Sequence, residues 1–126
     1  MSTKPLSQKL WMRPNYRVLI TGGPEGYLES LGKLPNGVKV SEFLDGEYDL
    51  IQVFVTTRRD LERVLPLTKK HLGPKGLLWL SYPKGTSRVT TDVNRETIRA
   101  YATTVGLTAV GLVSIDDTWS ALRLKA

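Results

Sequence analysis

The chain contains no cysteine. Disulfides and thiolate metal sites are thereby excluded, and a cytoplasmic location is expected. Histidine is nearly absent. His71 stands alone without a second ligand, which argues against a metal site. The same scarcity leaves the serine and threonine hydroxyls without a base for a catalytic triad. Long apolar runs are missing too. The longest, Leu77-Leu78-Trp79-Leu80, is far too short to span a bilayer. Met1 to Lys9 has no apolar signal core, so secretion is not expected. There are no internal repeats, low-complexity tracts or linkers.

What is present is ordinary in bulk and uneven in detail. The length of 126 residues suits one domain spanning 1–126. The net charge is +6, from 18 Lys and Arg against 12 Asp and Glu. Basic residues are scattered from Lys4 to Lys125, whereas Glu42, Asp45, Glu47 and Asp49 gather. Such a balance gives weak attraction to polyanions and leaves nucleic acid open as a partner.

Periodicity and punctuation predict the elements. Residues 3–12 read as a short helix capped by Thr3, with Pro5 in its first turn and Pro14 beyond its end. Val18 to Ile20 is an all-apolar strand. It runs into Thr21-Gly22-Gly23-Pro24-Glu25-Gly26, where Gly23-Pro24 starts a helix with Tyr27, Leu28 and Leu31 inward and Gly32 as its stop. Val38 to Phe43 alternates as a second strand, and Leu50 to Val55 is a third. Thr57 and Asp60 cap a helix with Leu61, Val64, Leu65, Thr68 and Leu72 on one face. Pro66 inside it removes a hydrogen bond and predicts a kink. Gly73-Pro74 ends it before a strand at Leu77 to Tyr82. A helix over 94–105, a strand over Leu107 to Ile115 and a last strand over Trp119 to Leu124 complete the chain. Only Asp116-Asp117-Thr118 joins the last two, so they must pair antiparallel. The alternation predicts a Rossmann-like, three-layer α/β sandwich with a six-stranded, mostly parallel sheet.

This order, with its closing antiparallel hairpin, resembles the class I S-adenosylmethionine-dependent methyltransferases. Tyr48-Asp49-Leu50-Ile51 is similar to that family's F-D-L-V, and Leu72-Gly73-Pro74-Lys75-Gly76-Leu77-Leu78 to its L-x-P-G-G-x-L turn. Gly22 and Gly26 match the outer glycines of its cofactor loop, while the middle glycine falls on Pro24 and the strand acid on Ile20. The resemblance implies that Glu42, closing the second strand, would hold the ribose of S-adenosylmethionine. Only Phe43 to Glu47 then separate Glu42 from Tyr48, so the family's adenine-binding strand and helices have no counterpart. The whole chain is also similar to a bacterial group of short proteins known as a domain of unknown function (number three-zero-five-two). Gln8-Lys9-Leu10, Trp79, Pro83-Lys84, Gly106-Leu107 and Trp119-Ser120-x-x-Arg123-Leu124 carry that resemblance. It implies architecture alone.

Each candidate site has a plainer reading beside it. The glycine loop could cradle an anion, but Pro24 has no N–H and Glu25 brings negative charge, so a structural helix start is favoured. Parallel strands bind ligands at their C-terminal edge. There Lys84, Asp116, Asp117 and Trp119 form a candidate ligand pocket, or else a surface ion pair beside a packing tryptophan. Arg58, Arg59, Arg63, Lys69 and Lys70 form a candidate polyanion face, or a solvated one with pairs such as Arg58–Glu62. Trp11, Trp79 and Trp119 read as core or hairpin packing.

The expected function is a non-catalytic binding or interaction module on a degenerate methyltransferase-like scaffold, with no cofactor and with a second copy of the chain as a candidate partner. The alternatives are a minimal methyltransferase using S-adenosylmethionine at Gly22, Gly26 and Glu42, and a nucleic-acid-binding protein. No membrane partner and no catalytic residue are expected.

Overall fold

A computed structural model describes residues 5–126. The element order is α1 (Leu6–Lys9), β1 (Arg17–Thr21), α2 (Tyr27–Ser30), β2 (Lys39–Ser41), β3 (Tyr48–Phe54), α3 (Arg58–Lys70), β4 (Leu72–Pro83), α4 (Arg95–Thr104), β5 (Thr108–Ser114) and β6 (Trp119–Lys125). One six-stranded sheet runs β2-β1-β3-β4-β6-β5. The pairs among β2, β1, β3 and β4 are parallel, and β6 is antiparallel to both β4 and β5. The fold is the α/β sandwich that the alternation of elements predicts. No helix among the described residues is long and apolar enough to cross a membrane.

Strand alternation sends side chains to two cores. One joins α3 and α4 to the sheet through Leu19, Ile51, Leu61, Leu65, Leu78 and Ile98. The other lies under α1 and α2, around Leu10, Val18, Tyr27, Leu31, Leu50 and Trp79. A buried leucine or isoleucine contributes about 1.5–3 kcal/mol, so each layer is held by several such side chains. Trp79 is fully buried, and its Nε1–H donates to the Leu10 carbonyl at 2.9 Å, tying α1 to the middle of β4.

Several boundaries differ from expectation, each for a local reason. The first helix is only Leu6–Lys9, with Pro5 at its N-cap; Thr3 lies outside the described residues. The second helix starts at Tyr27, not at Pro24. Pro24 instead opens a turn closed by the Tyr27 amide donating to the Pro24 carbonyl at 3.1 Å, and Gly26 holds φ +79° in that turn. Leu28 consequently lies exposed, while Tyr27 and Leu31 are buried. The second strand is only Lys39–Ser41, and Phe43 projects into solvent. Gly73-Pro74 does not separate α3 from the next strand. The strand β4 already begins at Leu72, opposite Tyr48, and residues 73–76 bulge before Leu77 resumes the register opposite Leu50.

The helix α3 runs through Pro66. A proline there leaves the Glu62 carbonyl without its usual intrahelical donor. The Tyr101 hydroxyl of α4 donates to that oxygen at 3.1 Å, so the defect becomes a tie between helices. Thr57 Oγ1 accepts the Asp60 amide at 3.0 Å as the N-cap of α3, and Asn94 with Thr97 forms a reciprocal capping box on α4.

The link between β2 and β3 crosses β1 as a strap, residues 42–47. Arg17 of β1 donates to the Glu47 carbonyl at 2.7 Å and to the Asp45 carbonyl, and its guanidinium lies 4.4 Å from the Tyr48 ring centroid. The Tyr48 hydroxyl donates to the Phe43 carbonyl at 2.6 Å. His71 Nδ1 lies 2.7 Å from the Gly46 carbonyl, which requires the proton on that nitrogen.

Candidate functional site

The turn after β1 and the end of β2 meet at the C-terminal edge of the sheet, where they enclose a cleft of about 490 Å³. Its wall is the Ile20 to Glu29 segment, and Glu42 and Phe43 close it from the strap. The geometry therefore brings Gly22, Gly26 and Glu42 together. Gly22 is demanded by the backbone. Its φ is +75°, and a Cβ there would sit 2.9 Å from the Phe54 carbonyl oxygen. The turn can press against the end of β3 only without a side chain. Pro24 and Glu25 stand exposed on the rim rather than filling the cleft.

The charge of this cleft is one-sided. Glu25, Glu29 and Glu42 line it, and no Lys, Arg or His does. Carboxylates in a concave site repel phosphate and attract a cation. Pro24 also lacks an amide donor, and α2 is a single turn. This glycine loop is thus not a phosphate cradle. The exposed rings and side chains of Phe43 and Leu28 give the rim an apolar surface.

A polar chain runs through the core beneath the cleft. The Tyr27 hydroxyl donates to Gln52 Oε1 at 2.8 Å, and Gln52 Nε2 donates to Ser81 Oγ at 3.0 Å. No buried side-chain nitrogen or oxygen among the described residues lacks a partner. Burial pushes the Tyr27 phenol well above its ordinary range; the Gln52 hydrogen bond opposes this and the nearby Asp116 charge adds to it. Tyr82 is also raised by burial, with Arg95 opposing. Phe54 fills the space between Tyr27 and Trp119, edge-on to both, with ring centroids 4.7 and 5.0 Å away. Such contacts add to plain area burial.

Beside the cleft is a smaller cavity of about 230 Å³ that shares Thr21 and Gly22 with it. Thr56, Asp60, Arg63 and Trp119 join Phe54 and three valines in its lining. Trp119 thus reaches a cavity, but its expected companions do not gather there. Lys84 Nζ donates to Ser114 Oγ at 2.6 Å, and Asp116 Oδ1 accepts the amides of Thr118 and Trp119, each at 2.8 Å. Both side chains shape the hairpin turn. Asp117 points to the exposed surface of that turn. On α3, Arg58–Glu62 at 4.0 Å and Arg63–Asp60 at 3.8 Å are exposed pairs, and Lys69 Nζ donates to the Val105 carbonyl at 2.6 Å. Trp11 departs from the core role expected of it, with 46% of its surface exposed.

Neither a family model nor a curated protein matches this sequence. Solved structures do match it in fold. A ribosomal protein L11 methylase from Lactobacillus delbrueckii subsp. bulgaricus aligns over 95% of this chain and 74% of its own, at 14% identity and a TM-score of 0.65. A SAM-dependent methyltransferase from Aquifex aeolicus aligns over 93% and 85%, at 11% identity and a TM-score of 0.61. DhpI, in a complex with SAM and HEP, aligns over 97% and 85%, at 10% identity and a TM-score of 0.67. The fold is that of SAM-dependent methyltransferases. The resemblance to uncharacterised bacterial proteins rests on its short motifs alone.

Proposed function

We propose that this chain is a binding protein for S-adenosylmethionine or a close adenosyl relative, held in the cleft between the Gly22–Gly26 turn and Glu42. The observation that carries the reading is the meeting of that turn and that carboxylate around one open cleft on a methyltransferase-like sheet. Its charge supports it, because S-adenosylmethionine is a net cation whose sulfonium and ammonium outweigh its one carboxylate, and three carboxylates line the cleft. DhpI is described in complexes with SAM and with SAH. A magnesium protoporphyrin IX methyltransferase of this fold is described with bound SAH.

The residues present fit the group in part. Glu42 would accept the ribose hydroxyls, and exposed Phe43 would offer a face to adenine. Ile20 takes the place of the family's strand acid, and the strap replaces a full adenine pocket, so affinity is expected to be modest. Bound S-adenosylmethionine would supply a transferable methyl group.

Calorimetric titration tests this. S-adenosylmethionine should bind, Glu42→Gln should weaken it about tenfold, and ATP should not bind, because its phosphates meet only carboxylates. Absence of binding, or tighter binding of ATP, overturns the reading. The second reading, a minimal methyltransferase, draws on the adjoining cavity of Thr21, Asp60, Arg63 and Trp119, which would seat an acceptor. Conversion of S-adenosylmethionine to its demethylated product by wild type, lost in Glu42→Gln, would establish it.

A further inference from the structure

At the opposite edge of the sheet lies a cavity of about 340 Å³, between the start of β4 and the end of β6. Lys75, Arg123 and Lys125 line it together with Ala126 at the end of the chain, and no Asp or Glu side chain does. Arg123 and Lys125 are two residues apart on β6, so they leave the strand on the same side. Arg123 is held in place from two directions. It crosses β5 at Gly111, where a Cβ would come within 3.3 Å of its Nε. Its Cζ lies 4.1 Å from the centroid of the Trp11 ring.

Trp11 is the unusual member of this group. It holds φ +66°. The Trp11 amide donates to the Gln8 carbonyl and the Met12 amide to the Ser7 carbonyl, each at 3.0 Å. That pattern is the turn in which a helix ends on a left-handed residue, normally glycine. A tryptophan is strained there, and the core does not account for it. Trp79 is fully buried and Trp119 packs on Phe54, whereas nearly half of Trp11 faces solvent. Backbone strain kept at an exposed aromatic calls for a role outside the fold.

We propose that Trp11, Arg123, Lys125 and Lys75 form a docking surface for single-stranded nucleic acid. The three cations take successive phosphates, and the exposed Trp11 ring, made rigid by Arg123 stacked against it, takes a base. An aromatic platform beside a cationic groove is the chemistry that distinguishes a nucleic-acid strand from other polyanions. A base can lie flat on indole, whereas a sulfated sugar or a lipid headgroup has no such face. The cations of α3 are less suited, because Arg58 and Arg63 are paired and Lys69 caps α4.

Fluorescence anisotropy with a labelled, mixed-sequence single-stranded RNA tests this. Binding should weaken steeply with salt, with a log–log slope near −2, since each phosphate contact on a single strand contributes about −0.7. Arg123→Gln and Lys125→Gln should each make the slope shallower by about one contact. Trp11→Gly is the decisive variant, because glycine suits the left-handed turn and the fold stays intact. It should keep a single cooperative unfolding transition, weaken binding about tenfold and keep most of the salt slope, since the three cations remain. Arg59→Gln and Lys70→Gln should leave binding as it was. Undiminished binding by Trp11→Gly, no binding at low salt, or equally tight binding of heparin or anionic vesicles would overturn the proposal.

Discussion

The two clefts at opposite edges of this sheet are opposites in charge. Glu25, Glu29 and Glu42 line the one at the C-terminal edge, while Lys75, Arg123 and Lys125 line the other. They also differ in construction. The acidic cleft is made by a glycine turn facing Glu42 and Phe43 of the strap, and the basic one by a bulge in β4 facing the end of β6. The net charge of +6 describes neither. The lesson is that selectivity resides in the local sign of a concave surface, where field lines are focused, and the overall balance averages it away.

The contrast can be broken most strongly in the aromatic cluster beside the acidic cleft, where Phe54 lines the adjoining cavity. Phe54→Ala removes the ring between Tyr27 and Trp119 and should cost about 3–5 kcal/mol in urea unfolding, because the rings around it cannot close the gap. Gly22→Ala should follow at about 1–3 kcal/mol, from its φ of +75° and the Phe54 carbonyl 2.9 Å from the new Cβ. Gly76→Ala on the basic side should cost less. Its Cβ would approach Leu72 Cδ1 at 2.6 Å and the Gly73 carbonyl oxygen at 3.1 Å, but Gly76 lacks the positive φ of Gly22 and its nearest obstacle is a side chain rather than backbone.

Alkali sharpens the same contrast. The folded state holds the Tyr27 proton more tightly than the unfolded chain, which releases it around the ordinary value of 10.0. The stabilisation is therefore complete below that pH and is lost as pH rises above it. Unfolding free energies measured across this range should fall in wild type and fall less in Tyr27→Phe. That variant should also cost about 1–3 kcal/mol at neutral pH, because Gln52 Oε1 loses its buried donor. The smallest effect is expected at the helix tie. Tyr101→Phe should cost about 0.5–1.5 kcal/mol, by leaving the Glu62 carbonyl to water.

Much of the fold is legible in the sequence, because apolar period and glycine punctuation act locally. The capping signal at Thr57, the left-handed Gly32 and the short Asp116–Thr118 link each name one backbone outcome. The start of α2 is not legible, since Gly23-Pro24 serves a turn as well as a helix. Nor is the early start of β4, which depends on Tyr48 pairing with Leu72 across the sheet. At the acidic cleft, Gly22, Gly26 and Glu42 can be chosen from motif positions, but the one-sided charge cannot. Glu25 and Glu29 join Glu42 only through the parallel pairing of β1 and β2. The turn role of Asp116 was available as a local signal, an aspartate two residues before a threonine amide. The basic cavity left a fainter one, the i, i+2 spacing of Arg123 and Lys125 near the end of a strand.

The strap over β1 bears on the order in which the molecule assembles. Its carbonyls are gripped by Arg17 from β1, by the Tyr48 hydroxyl from β3 and by His71 from the end of α3. Those three donors converge only once β1 has paired with β3 and α3 has swung β4 into place beside it. The strap is therefore expected to close late, once the central strands have gathered. Late contacts resist unfolding without hastening folding. Weakening the grip, as in Arg17→Met, should leave the refolding rate nearly unchanged and shorten the lifetime of the folded chain.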